Sequence, residues 1–246
     1  MSKVALYYID PDSPADNFPP VVNALTQPDG LLCFGGDLST ERILNAYRRG
    51  IFPWYSEGQP IMWWSPSPRC VIFPDEVIVR RSLKKTMRNM DYHFSIDTAF
   101  PDVISACSAP RDEDGGTWIT HEIKDAFIRL HELGHAHSAE IWKDGKLIGG
   151  LYGIAMGQIF FGESMFSIAR DASKVAFACA AQFLHRHHFK LIDAQVTSGH
   201  LLSLGAREIQ RDDFITTLDK YCHVENDIDL WQTSSMPVKE YYFDNE

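Results

Sequence analysis

An α+β fold is what this chain predicts, and three features of its sequence carry that expectation. Three strand-like segments follow one another at 137–142, 147–154 and 158–162, separated by Asp144-Gly145 and by Gly157, which are hairpin-turn signals. A long helical pattern comes next, from about 172 to 187, with Asp171 as N-cap and Phe177, Ala180, Ala181 and Leu184 as its inner stripe. A short strand at 190–195, a helix near 198–204, a strand near 207–210 and a helix from 212 complete the series. Antiparallel strands grouped together, with helices flanking a mixed sheet, make an α+β plan.

The first 70 residues read differently. Phe18-Pro19-Pro20, Pro28-Asp29-Gly30, Gly35-Gly36-Asp37, Phe52-Pro53-Trp54-Tyr55 and Trp63-Trp64-Ser65-Pro66 fill them with breakers and aromatics. One helix stands out: Ser39 can cap it, Glu41 sits in its first turn, Ile43, Leu44, Ala46 and Tyr47 form its apolar stripe, and Gly50 ends it. A small N-terminal α/β domain over 1–70, packed on a larger domain over 71–246, is expected, with the Pro-rich stretch at 66–74 as the boundary. Beyond it come a basic helix, a strand at 92–96 and helices near 99–107 and 120–132.

Composition narrows the class. Apolar residues make up 45% of the 246 and charged residues 23%, an ordinary globular balance. No apolar run approaches the roughly 20 residues of a membrane span, and Met1–Asp10 lacks the apolar core of a secretory signal. Cys33, Cys70, Cys107, Cys179 and Cys222 are odd in number and form no CxxC pair, as suits a reducing cytoplasm. A soluble cytoplasmic protein without metal or cofactor is expected, and nothing calls for more than a monomer.

The net charge of −10 speaks at first against nucleic acid. Half of that surplus lies from Asp219 onward, where seven acids face two lysines in a tail expected to lie outside the core. By contrast Arg80, Arg81, Lys84, Lys85 and Arg88 put five cations and no acid into nine residues. At about 100° per residue they span roughly 140° of a helix whose other side carries Leu83, Met87 and Met90. That stripe is either a solvated face or a track for phosphates, which needs only local potential.

Two motifs compete for the chemistry. His131-Glu132-Leu133-Gly134-His135 matches the H-E-x-x-H zinc signature, but Gly134 is placed to end the helix before the second histidine can join the first. The other constellation joins Gly162-Glu163-Ser164-Met165-Phe166-Ser167 with Ile192-Asp193-Ala194-Gln195. On a strand of period two, Asp193 and Gln195 share a face and could grip an amine, or Asp193 could cap the next helix. Glu163, after a glycine at the end of an apolar strand, is expected to be partly buried and to seek a cation.

With these blocks, and with Gly30 through Ser39, Ala46-Tyr47-Arg48-Arg49-Gly50-Ile51-Phe52-Pro53-Trp54, Trp63-Trp64-Ser65-Pro66, Gly116-Thr117-Trp118-Ile119, Leu130 through Ser138 and Gly149-Gly150-Leu151-Tyr152-Gly153, the chain resembles the bacterial leucyl/phenylalanyl-tRNA–protein transferases from about Asn17 to Phe214. The resemblance implies a cytosolic enzyme that moves Leu or Phe, with Met as a further candidate, from aminoacyl-tRNA to the N-terminal α-amine of proteins beginning with Arg or Lys, creating a degradation signal. It implies a GNAT-like catalytic domain. By resemblance, Asp193 and Gln195 orient the amine, its proton going to or through Asp193 or to the ribose hydroxyl next to the ester, and Glu163 pairs with the acceptor's basic side chain. Leu151, Phe160, Met165, Phe177, Leu184 and Ile192 are the expected aminoacyl pocket, where Ala180 stands in place of a bulkier aromatic. Tyr47, Trp54 and Trp118 are expected at the 3′ adenosine, and Arg80, Arg81, Lys84, Lys85 and Arg88 at the tRNA phosphates. The alternatives are a CoA-dependent acetyltransferase and a non-catalytic RNA-binding module. The former wants a glycine-rich pyrophosphate turn at a helix start, yet no glycine lies between Gly162 and Gly199 and Asp171 holds the cap position. The latter leaves Glu163, Asp193 and Gln195 without a task.

Overall fold

Short strands organise the breaker-rich start of the chain. In the computed structural model, which describes residues 6–109, 117–224, 228–231 and 233–243, β1 (Tyr7–Ile9), β2 (Leu31–Gly35), β3 (Phe52–Pro53) and β4 (Met62–Trp64) make a sheet of order β1-β2-β4-β3. Helix α1 (Thr40–Arg48) follows β2, and its Ser39 side chain accepts from the Arg42 N–H, as expected of the cap. Irregular chain on this side is gathered by arginines. Arg42 donates to Asp37 and to the carbonyls of Pro11, Ser13 and Pro14; Arg49 donates to those of Asp16, Phe18 and Pro19.

The larger sheet begins with β5 (Arg69–Ile72), so the first strand of the second unit starts just inside the expected 1–70 boundary. Then follow α2 (Arg81–Asn89), β6 (His93–Ile96), α3 (Phe100–Cys107), α4 (His121–Glu132), β7 (Ala136–Lys143), β8 (Lys146–Met156), β9 (Ile159–Ser167), α5 (Ala172–Arg186), β10 (Leu191–Gln195), α6 (Gly199–Ser203), β11 (Arg207–Ile209), α7 (Arg211–Tyr221), β12 (Thr233–Pro237) and α8 (Val238–Phe243). The strand order is β11-β5-β10-β9-β8-β7-β6-β12. In this sheet, among the described residues, only β9 and β10 run parallel, joined through α5. This is the mixed α+β sheet that the order of elements predicts. Asp144 and Gly145 both have positive φ, 50° and 71°, as the tight β7–β8 turn requires.

Alternation along the strands divides the core. Tyr152 and Ile154 of β8 with Phe161 of β9 pack with α1, α3, α4 and α7, together with the small sheet's Ile9, Leu32 and Trp63. Leu151 and Phe160, one residue out of phase, pack with α2, α5 and α8. The first of these clusters joins the two sheets.

Two expectations fail here. Asp171 occupies the start of α5 in a left-handed conformation (φ 57°) and makes no side-chain cap; its carboxylate takes the Thr86 hydroxyl instead, at 3.1 Å. The segment after Asp219 is not wholly outside the core. β12 pairs with β6, and α8 buries Val238 and Tyr241, because its apolar residues cover ground that its acids do not. Glu225, Asp227, Asp244 and Glu246 of the acidic tail, like Gly116 of the aromatic blocks, lie outside the described residues, as does the side chain of Asp229.

Candidate active site

Two β-bulges build the site. The β9–β10 ladder ends at the pair Asp193↔Phe161, and beyond it the two strands part. In the β8–β9 register Tyr152 faces Ser164 and Gly153 faces Gly162, so Glu163 is the extra residue of one bulge. In the β10–β5 register Asp193 faces Val71 and Gln195 faces Cys70, so Ala194 is the extra residue of the other, and Gln195 takes a positive φ of 55°. Bulges of this kind re-aim side chains. Here they defeat the period-two expectation that Asp193 and Gln195 act side by side.

Asp193 is fully buried, and so, at 1% exposure, is Arg69. The two form a two-pronged ion pair, Nε to Oδ1 at 2.8 Å and Nη2 to Oδ2 at 2.7 Å. Arg69 also donates to the Gly50 carbonyl and lies against the rings of Phe52 and Phe214, 4.8 and 4.6 Å from their centroids. Asp193 Oδ1 takes the Gln195 N–H as well, at 3.0 Å. A carboxylate occupied in this way holds the bulge, and Asp193 also borders the apolar cavity. The helix after it is capped by Ser198, not by Asp193. Sequence reasoning passes over Arg69. An arginine opening a fully buried strand implies a buried acid, and that is the signal it offers.

Gln195 turns the other way and donates from Nε2 to Glu163 Oε1 at 3.1 Å. The Tyr47 hydroxyl donates to the same oxygen at 2.7 Å. Both donors are neutral, and among the described residues Oε2 has no hydrogen-bond or ion-pair partner. Glu163 thus has the half-buried, cation-lacking character that its place after Gly162 predicts. Burial pushes its carboxyl from the ordinary 4.5 up to about 8, against the lowering effect of the Tyr47 bond. Burial first, and Glu163 second, keep the Tyr47 phenol protonated far above its ordinary range.

Tyr47 is 0% exposed, with its ring edge-on to Phe161. No face is open to a base, so its expected stacking on an adenine is corrected. Its task is to bring the N-terminal segment to Glu163.

Two cavities meet at Glu163 and Gln195. One, of about 240 Å³, is largely apolar and is lined by all six expected pocket residues, Leu151, Phe160, Met165, Phe177, Leu184 and Ile192, with Ala180, Ala181, Ser198 and His200 added. The other, of about 370 Å³, is lined by Phe52, Trp54, Val196 and Thr197. Trp118 lines both. Trp54 is 42% exposed and tilts against Trp64. His200, Ser198 and Thr197 carry no motif, and nothing in the sequence marks them for this place.

The basic stripe is divided by the fold. Leu83, Thr86 and Met87 are buried, while Arg81, Lys85 and Arg88 line an open groove with Ser82 and Asn89. Arg80 precedes the helix as its N-cap residue, and Lys84 is half-buried; neither lines the groove. As for the zinc signature, α4 ends at Glu132 and Gly134 has φ 77°, so His131 and His135 do not share a helix. His131 stacks on Phe100 at 4.3 Å and bonds to the Ala136 carbonyl. Among the described residues no three His, Cys, Asp or Glu side chains gather to hold a metal, and no helix is long and apolar enough to cross a membrane.

Comparison with known proteins gives one answer. A family model described as leucyl/phenylalanyl-tRNA protein transferase matches residues 71–219, and one described as the N-terminal domain of the same transferase matches 36–67. A leucyl/phenylalanyl-tRNA–protein transferase of Azoarcus sp. is 57% identical over 210 residues, 85% of this chain and 88% of that one. Those of Aromatoleum aromaticum and Methylococcus capsulatus are 58% and 49% identical, covering 82% and 92% of this chain and 85% and 97% of theirs. Among solved structures, that of L-PGS from Bacillus licheniformis has a TM-score of 0.40 at 10% identity, over 68% of this chain and 53% of that one, too distant to bear on this site.

Proposed function

This chain belongs to the leucyl/phenylalanyl-tRNA–protein transferase family, an aminoacyltransferase that draws on aminoacyl-tRNA, and from that premise we propose that it moves Leu or Phe to the α-amine of proteins whose first residue is Arg or Lys. The product would be a degradation signal, made in the cytoplasm by a monomer of two units, 1–70 and 71–246. The observation that carries the reading is Glu163, an acid with one oxygen lacking a protein partner among the described residues, where an apolar cavity meets an aromatic one.

The apolar cavity suits the donor side chain. Each methylene buried there is worth about 0.8 kcal/mol, so Leu and Phe outbid Ala while close isosteres are separated weakly. Trp54 and Trp118 suit the terminal adenosine, for which stacking contributes about 1–3 kcal/mol per base. Arg81, Lys85 and Arg88 suit acceptor-stem phosphates, which they would position without reading sequence; Arg80 and Lys84 add charge beside the groove. Glu163, whose raised pKa keeps much of it neutral near pH 7, would release its proton to solvent as the acceptor's cation arrives, leaving Oε2 to receive that cation. A single carboxylate oxygen favours charge over a fixed fork, consistent with both Arg and Lys.

The acceptor's α-amine has a pKa of about 7.7–8.0, so part of it is neutral at pH 7. That neutral nitrogen attacks the ester carbonyl, the bond to the ribose oxygen breaks, and the amine's proton ends on that oxygen. Gln195, its Nε2 committed to Glu163, offers Oε1 to orient the amine's N–H; an amide is too weak a base to keep the proton. Asp193 and Arg69 hold Gln195 by its backbone. Positioning of two bound substrates supplies much of the acceleration.

Glu163→Ala tests this reading. It should raise KM for Arg- and Lys-initiated peptides about 100-fold, the scale of one charge-assisted hydrogen bond, while the Kd for leucyl-tRNA stays near wild type. Equal losses for both substrates would contradict the assignment.

A further inference from the structure

Beside the apolar cavity lies a small space of about 10 Å³, no larger than one water molecule needs. Leu151, Phe160, Ala180 and Leu184 line both. The far side of that space is closed by Trp231, which belongs to none of the pocket's strands or helices but to the short turn Ile228–Trp231. Its indole stacks on the His137 imidazole, with centroids 3.8 Å apart and planes 8° apart. It also meets the ring of Phe183 at 5.2 Å and that of Phe160 at 6.1 Å. His137 is fixed in turn, its Nδ1 lying 2.6 Å from Asp97 Oδ2, while Asp97 takes the Ser138 N–H. Among the four side chains shared by the two spaces, Ala180 of α5 brings only a methyl group.

We propose that Trp231 is the rear wall of the donor side-chain pocket, setting its depth and hence the choice between a branched aliphatic and a planar aromatic aminoacyl group. This rests on the reading that the apolar cavity takes the donor side chain. The Asp97–His137 pair is the brace: it holds the imidazole flat against the indole. A turn near the end of the chain thereby tunes a pocket whose other walls come from β8, β9, β10 and α5. Because Trp231 is half-buried and lies outside the regular elements, its side chain can be cut back without emptying the centre of a core cluster.

The test is a donor competition. Purified wild type, Trp231→Ala, Trp231→Phe and Ala180→Leu are each given leucyl-tRNA and phenylalanyl-tRNA with an Arg-initiated peptide, and the ratio of kcat/KM for phenylalanyl over leucyl transfer is measured. Trp231→Ala should raise the ratio about tenfold, the low end of what one methylene of pocket depth carries. Trp231→Phe should restore it toward wild type. Ala180→Leu, which fills the same depth from α5, should lower it, and that measurement decides the matter if Trp231→Ala fails to fold. An unchanged ratio in both Trp231→Ala and Ala180→Leu, or equal loss of both donors in Trp231→Ala, would overturn the proposal. A wild type that transfers neither donor would instead bring down the functional reading beneath it.

Discussion

Arg69 and Asp193 bring opposite charges to a place where neither meets water. Removing one partner of such a pair leaves the other uncompensated, at a cost of about 3–5 kcal/mol. For a chain of this size about 2–4 °C of melting temperature goes with each kcal/mol. Asp193→Asn should therefore melt roughly 6–20 °C below wild type and lose turnover, because the Gln195 backbone loses its anchor. Calorimetry with a transfer assay separates this from direct participation: lost turnover with an unchanged melting temperature would make Asp193 a chemical partner after all. Glu163 has the opposite character. Its hydrogen-bond partners are neutral and, among the described residues, one oxygen has none, so on the proposed reading it is poised for a cation. Residue types alone single out Glu163, Asp193 and Gln195, since acids and an amide at the ends of apolar strands are conspicuous. How each of them is bonded is not legible, because that follows from two bulges, and a bulge leaves no mark on a period-two pattern.

Elements that pack by periodicity are legible in the sequence, and elements that pair by backbone are not. Helices α1, α4 and α5 and the β7–β8–β9 series lie close to where apolar spacing, Ser39 and Asp144-Gly145 put them. The strands of the small sheet, two to five residues long, are too brief to show alternation. β12 and α8 are hidden by acids flanking the apolar residues that the core takes in. Helix α2 shows what the fold adds even to a legible element. Its amphipathic character is plain, but only Arg81, Lys85 and Arg88 of its cations line the groove. Replacing these three by Glu should raise KM for aminoacyl-tRNA and flatten its dependence on salt by about one unit of log–log slope for each phosphate left without its cation. Kinetics at several salt concentrations check this, and an unchanged slope would take the groove out of tRNA binding.

For the molecule as a whole, the arrangement explains how a chain of net charge −10 can be an enzyme of RNA-borne substrates. Five cations lie in nine residues at α2, while half of the acidic surplus lies from Asp219 onward, and on the proposed reading local potential governs the encounter. The small sheet is more than an appendage: it shares a core cluster with the large one, and the helix that follows its second strand delivers Tyr47 to Glu163. On the proposed reading, the two cavities that meet there would let one substrate approach through apolar and aromatic surface and the other through charge. The most direct trial of this account uses purified protein, radiolabelled leucyl-tRNA and three peptides alike except for a first residue of Arg, Lys or Ala. Label should pass to the Arg and Lys peptides and scarcely to the Ala peptide. Equal labelling of all three, or none of any, would contradict it.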